Sequence, residues 1–177
     1  AGVDIFFVVS GFVMVLVSQG RFGDRSYVLE FLSRRAIRIV PVYWFFLTAM
    51  VALFVIAPTV APQVYFSAPY AALSYLFVPI YTQVGYHPVL GVGWTLNYEV
   101  FFYLVFGLLV VLSKWRAVAA LWIVLIGFCL ARLAFIPMPP TPTETFYVSP
   151  IGFWGDPIVL EFASGALLGA LYSDGFR

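Results

Sequence analysis

Thr95, Glu99 and Tyr103 stand at i, i+4 and i+8 in the segment GVGWTLNYEVFFYLVF, so on a helix they share one stripe. A carboxylate beside a phenol can orient or deprotonate a hydroxyl such as a sugar's, as a general base does. Glu99 comes five residues after Trp94, about 7–8 Å along a helix at about 1.5 Å per residue, which is too deep for a short side chain to reach bulk water easily. An ionisable group inside a membrane costs about 2.5–3.5 kcal/mol on insertion scales, so it faces a partner or a water-filled cavity. Two plainer readings stand beside this one. Glu99 can pair with Arg132 merely to hold helices together, and Trp94, Tyr98 and Tyr103 can belong to an interfacial aromatic belt.

A second group is cationic. In SRRAIRIVPVYWF, Arg34, Arg35 and Arg38 stand just before an apolar run, and Arg34 and Arg38 share a helix face. Guanidinium forks match phosphate oxygens and keep their charge at any working pH. The plainer reading is a topology signal that touches anionic lipid headgroups. Pressing three arginines against a helix start, rather than spreading them along a loop, shifts weight somewhat toward a bound phosphate without displacing that reading.

The remaining candidates are weaker. Asp4 in GVDIFFVVSGF lies near a helix end, where a carboxylate is also favourable to the helix dipole. Ser10 and Gly11, and the pair Gly165 and Gly169 in GALLG, read as faces for close helix packing. His87 is the only histidine and Cys129 the only cysteine, so neither a disulfide within the chain nor a zinc-type cluster is expected.

The elements that must carry these residues follow from composition. The 177 residues are 63% hydrophobic and 10% charged, with a mean hydropathy of +1.02. Soluble domains run at about 45–50% apolar and about 25% charged, so the solvent here is lipid. A net charge of +1 leaves no basic surface for nucleic acid. Runs 3–19, 39–57, 94–112, 117–136 and 157–172 approach the roughly 20 residues of a spanning helix. The shorter run 69–82 suits a re-entrant or interfacial segment, and proline-rich stretches 58–69 and 137–150 read as loops.

Placing Arg21, Arg25, Arg34, Arg35, Arg38, Lys114, Arg116 and Arg177 on one side gives five crossings, with the first running outside to inside. Asp4, His87, Glu99, Asp156 and Glu161 then fall near the outer ends of helices, opposite the arginines, with Arg132 about one turn inside an outer end. The expected fold is an all-α polytopic transmembrane helix bundle, one partial domain over 1–177. Because the first residue is Ala1 and the opening is already apolar, the segment reads as part of a longer chain.

Three segments in order, GVDIFFVVSGF, RRAIRIVPVYW and GWTLNYEVFFY, resemble acyltransferase family 3, the bacterial multi-pass membrane acyltransferases. DPIVLEFASGALLG resembles its exopolysaccharide-modifying subgroup. The resemblance implies transfer of an acyl group, commonly acetyl from acetyl-CoA or another acyl-CoA, from the cytoplasm to a hydroxyl of an extracytoplasmic carbohydrate. It implies donor binding by Arg34, Arg35 and Arg38, and an acceptor site shaped by Glu99 with Asp4 and Tyr103. It also implies the bacterial inner membrane, no metal, contact with polysaccharide-assembly machinery, and a general-base histidine on a helix preceding this segment, to which His87 does not correspond. Thr95 replaces the family's serine and keeps its hydroxyl. Family members have roughly twice the spans counted here, so this segment is expected to be inactive alone. The rival reading is a membrane transporter or flippase whose buried charges line a substrate path.

Overall fold

The computed structural model describes residues 2–57, 59, 67–82, 85–86, 88–135 and 146–175. His87 and most of both proline-rich stretches lie outside the described residues. The elements are α1 (Gly2–Val17), α2 (Tyr27–Ile56), α3 (Ala68–Tyr75), β1 (Ile80–Thr82), β2 (Gly85–Tyr86), α4 (Gly93–Leu109), α5 (Lys114–Ala134), β3 (Phe146–Val148), α6 (Pro150–Trp154) and α7 (Val159–Ser173). All five long apolar runs fold as helices, the form that satisfies backbone polar groups without water. Helices α2 and α5, of 30 and 21 residues, are long and apolar enough to cross a membrane. Helices α1, α4 and α7 have 16, 17 and 15 residues, short of the roughly 20 that a crossing takes.

Two expectations are corrected. The second apolar run was expected to begin at residue 39, after the arginines, yet α2 begins at Tyr27 and carries Arg34, Arg35 and Arg38 within its first half. The reason is periodic: Tyr27 and Phe31 are buried one turn apart, and Ile39, Tyr43 and Leu47 extend the buried positions along the helix. Glu30 adds an ion pair to Arg34 one turn on, at 2.6 Å.

The fold is also not purely helical. A three-stranded antiparallel sheet of order β2-β1-β3 pairs Tyr81 with both Tyr86 and Tyr147. It divides the run 69–82, expected as one re-entrant or interfacial piece. Helix α3 has only 8 residues, about 12 Å of length, with Ser67 accepting from the Tyr70 amide at its start. It ends at Tyr75; two residues on, Phe77 has a left-handed φ of 55°, and Pro79 then bars helical continuation. Strand β3 lies within the second proline-rich stretch, whose prolines alone predict a loop throughout.

Close packing fixes the helix order. Helices α1 and α7 run parallel with backbones in contact. A Cβ on Gly11 would lie 2.1 Å from the Phe162 carbonyl oxygen, and one on Gly165 would lie 1.9 Å from that of Val8. The small-residue faces expected at Gly11, Gly165 and Gly169 are therefore real packing faces. Helix α2 runs antiparallel to α4, with Gly93 against Tyr43 and Gly107 against Leu32. Helix α5 runs antiparallel to α7, tied by Arg132–Asp156 at one end and Lys114–Asp174 at the other. Helices α1, α4 and α7 thus point one way, and α2 and α5 the other.

The core is aromatic. Phe102 stacks on Phe162 with centroids 4.2 Å apart, and Phe7 meets Phe102 edge-on. Ile37, Phe45, Ile56, Ile123 and Leu133 face outward, the surface that a lipid solvent would cover.

Candidate functional site

Glu99 is the one charged residue among the buried side chains of the described residues, with 8% exposure. It sits in the first half of α4, where the periodic aromatic face of that helix turns it inward between α1 and α2. Two hydroxyls converge on one of its oxygens. Tyr103, one turn on, donates to Oε1 at 3.2 Å, and Ser10 of α1 donates to the same atom at 3.4 Å. No ion pair to Glu99 forms among the described residues.

The cationic group reaches this site from α2. The Arg35 guanidinium lies over the Tyr103 ring at 5.5 Å and over the Phe31 ring at 5.4 Å from their centroids. Arg35 and Arg38 both lie within coulombic range of the Glu99 carboxylate. For Glu99 the structure departs from the sorting of charges to opposite ends, whereas Asp156 stays at the end away from the arginine cleft. Antiparallel packing of α2 on α4 brings the arginines of one motif to the glutamate of the other, through Tyr103.

Arg34 points elsewhere, to a cleft of about 190 Å³ lined by Val17, Tyr27, Phe31, Arg34 and Arg35. Its charge is met by Glu30, which also accepts from Arg21 at 2.8 Å. Arg21 in turn lies over the Tyr27 ring at 4.6 Å. The cleft therefore joins aromatic walls to arginines, a surface suited to an anionic group attached to a flat or apolar body.

Other candidates fall differently. Arg132 pairs with Asp156, so the interhelical Glu99–Arg132 pair does not form. Thr95 turns its hydroxyl back to the Val92 carbonyl at 3.1 Å and leaves the stripe to Glu99 and Tyr103. Tyr98 and Tyr103, at 4% and 6% exposure, are core residues rather than members of a belt. Asp4 lies half-buried in the first turn of α1. It precedes Ser10 by about 9 Å of rise and about 120° of rotation, so it does not share the Ser10 face.

Ser10, whose pairing with Gly11 points in the sequence more to close packing than to chemistry, is a partner of Glu99. The signal available for it was a hydroxyl in mid-helix within an otherwise apolar run. The link from Arg35 to Phe31 was legible as an i, i+4 pair, whereas that to Tyr103 was not.

Chemically, the site offers a buried carboxylate held at one oxygen, a phenol bridging it to a cation, and a cationic cleft alongside. Such a set can polarise a hydroxyl and neutralise nearby negative charge. Residues 1–175 match the sequence family described as an acyltransferase domain. The chain is also 35% identical over 182 residues to the exopolysaccharide production protein ExoZ of Rhizobium meliloti (strain 1021), covering 99% of this chain and 51% of that protein. It thus spans about half the length of that curated relative. No solved structure matches.

Proposed function

The chain belongs to acyltransferase family 3, and on that premise we propose that it is part of a multi-pass O-acyltransferase of the bacterial inner membrane. It moves an acyl group, commonly acetyl, from cytoplasmic acyl-CoA to a hydroxyl of an extracytoplasmic carbohydrate such as exopolysaccharide. The relative named for exopolysaccharide production supports that acceptor class. The alternating directions of α1, α2, α4, α5 and α7 support five passes, with the shorter three completed by flanking residues at the interfaces.

The observation that carries this reading is the meeting of Arg35, Tyr103, Glu99 and Ser10 from three helices. Acyl transfer needs the donor thioester and the acceptor hydroxyl held together, since orientation accounts for much of such a barrier. Arg34, Arg35 and Arg38 hold the donor's phosphates. Glu99 accepts the hydrogen bond of the acceptor hydroxyl and raises its nucleophilicity. The family's general-base histidine takes the hydroxyl proton, the hydroxyl oxygen bonds to the acyl carbon as the carbon–sulfur bond breaks, and that proton passes on to the sulfur, so that coenzyme A leaves as the thiol. Tyr103 fixes the carboxylate so that its lone pairs face the hydroxyl. Asp4 shapes the outer rim of the acceptor site. Contact with polysaccharide-assembly machinery would deliver the acceptor.

The test is to express wild type and Glu99→Gln in membranes at equal folded amounts, then follow labelled acetyl from acetyl-CoA into extracted polysaccharide. Loss of transfer by about 100-fold or more in the variant is expected for a group that assists proton movement. Wild-type membranes that consume no donor while polysaccharide export changes would sink the reading in favour of a transporter. Equal transfer by both proteins would remove Glu99 from the chemistry.

A further inference from the structure

A second cluster lies where β1, β3, α5 and α6 meet, at the end of the bundle opposite the arginine cleft. Tyr81 and Tyr147, paired across β1 and β3, stack with centroids 5.1 Å apart and planes at 20°. Both are only half-buried. Beside them Arg132 and Asp156 form an ion pair with side chains 35% and 40% exposed. The second Asp156 oxygen accepts from the Ile158 amide at 3.1 Å, which fixes the carboxylate in place. The Tyr81 hydroxyl lies within electrostatic reach of both ions.

The floor beneath is closely packed. Tyr98 stacks on Phe153 at 4.1 Å and donates to its carbonyl at 2.9 Å, while Phe101 stacks on Trp154 at 5.0 Å and 6°. Gly155 lets this floor press against α5, because a Cβ there would lie 2.5 Å from the Phe128 carbonyl oxygen. Trp154 Nε1 is buried with no acceptor among the described residues.

We propose that this cluster is a carbohydrate-binding subsite for the acceptor glycan, with the Tyr81–Tyr147 stack receiving a sugar face and the Arg132–Asp156 pair its hydroxyls. The proposal rests on the acyltransferase reading and adds to it where the acceptor is held. A pyranose presents apolar C–H faces and a rim of hydroxyls. The faces leave water for an aromatic surface, and the rim needs donors and acceptors fixed in place. A guanidinium and a carboxylate already paired offer both to neutral hydroxyls, with little net charge left to hold a phosphate. Burial pushes the Tyr81 phenol up to about 12, so it stays a hydroxyl at ordinary pH. The cluster and the arginine cleft occupy opposite ends of the bundle, as a donor entering from one side and an acceptor waiting on the other require.

The probe is exopolysaccharide from the source strain, stripped of its O-acyl groups by mild alkali. Its binding to detergent-solubilised full-length protein is measured without donor, and the KM for the same polysaccharide is measured with acetyl-CoA. Tyr147→Ala is expected to raise both Kd and KM about tenfold with kcat and the KM for acetyl-CoA unchanged. Tyr147→Phe, which keeps the ring, should behave as wild type. Should Tyr147→Ala not fold, Tyr147→Leu keeps the bulk without the flat ring and should show the same loss. Unchanged Kd in a folded variant that lacks the ring would overturn the subsite. Wild-type acetyl transfer at unchanged KM in every variant would likewise overturn it while leaving the acyltransferase reading intact. Weakened binding in the ring-deleted variants of a protein that transfers no acetyl would keep the subsite and sink the acyltransferase reading.

Discussion

Tyr103 donates its phenol to Glu99 Oε1 at 3.2 Å, one helical turn away on the same face of α4. Its ring also carries the Arg35 guanidinium from α2. This one side chain therefore connects the carboxylate to the arginine motif, and its two parts can be separated by substitution. Tyr103→Phe keeps the ring under Arg35 and removes the hydrogen bond. A bond to a charged group is worth about 1.5–3 kcal/mol, so kcat for acetyl transfer should fall by about ten-fold or more. The KM for acetyl-CoA should stay near wild type. A steady-state comparison of the two proteins in membranes checks both.

Arg35 and Arg34 should differ although they are neighbours. Arg35 lies against two rings, whereas Arg34 is 73% exposed and neutralised by Glu30. Arg35→Gln should raise the KM for acetyl-CoA severalfold more than Arg34→Gln. Arg35→Lys should not restore it, because an ammonium cannot stack on an aromatic ring as a planar guanidinium does or present a fork to phosphate. Initial rates against acetyl-CoA concentration decide this.

The contact between α1 and α7 sets the position of Ser10 relative to Glu99, and glycine sets the contact. At Gly165 a Cβ would lie 1.9 Å from a backbone oxygen, which has no rotamer by which to move away. Gly165→Ala should cost about 1–3 kcal/mol, as overpacking does, and lower the thermal midpoint in detergent. Gly127→Ala on α5, where nothing lies within 4 Å, should leave the midpoint unchanged or slightly raised. Tryptophan-monitored melting of both variants is the measurement.

At the other end of α7, Lys114 holds the Asp174 carboxyl below its ordinary value of 3.8 by hydrogen bond and charge, with help from Trp115. A carboxylate depressed in the folded state stabilises the fold above its unfolded pKa, and that contribution is lost as pH falls through the folded value. The wild-type midpoint should therefore decline on acidification below about pH 4. Asp174→Asn should show a smaller decline over the same window. The side chain is half exposed, so the difference is expected to be modest.

The sequence alone determined that the five long apolar runs are helical, the small-residue faces on α1 and α7, and the Glu99–Tyr103 pair. All are local properties. Hydropathy summed over a run, and spacing of i, i+4 along one helix, need no knowledge of what lies across the bundle. The start of α2 was misplaced because charged residues interrupt an apolar run without interrupting a helix, and only the buried face through Tyr27 and Phe31 reveals its continuation. Tertiary structure decided the rest. That Ser10 meets Glu99, that Arg35 meets Tyr103 and that Arg132 takes Asp156 depend on how each helix is rotated and offset against its neighbours. Contacts such as Gly11 on Phe162 set that rotation, and strand pairing joins Tyr81 to Tyr147 across more than 60 residues. Relations between distant segments leave no period in a sequence, because they are fixed by shape complementarity when the helices close on one another.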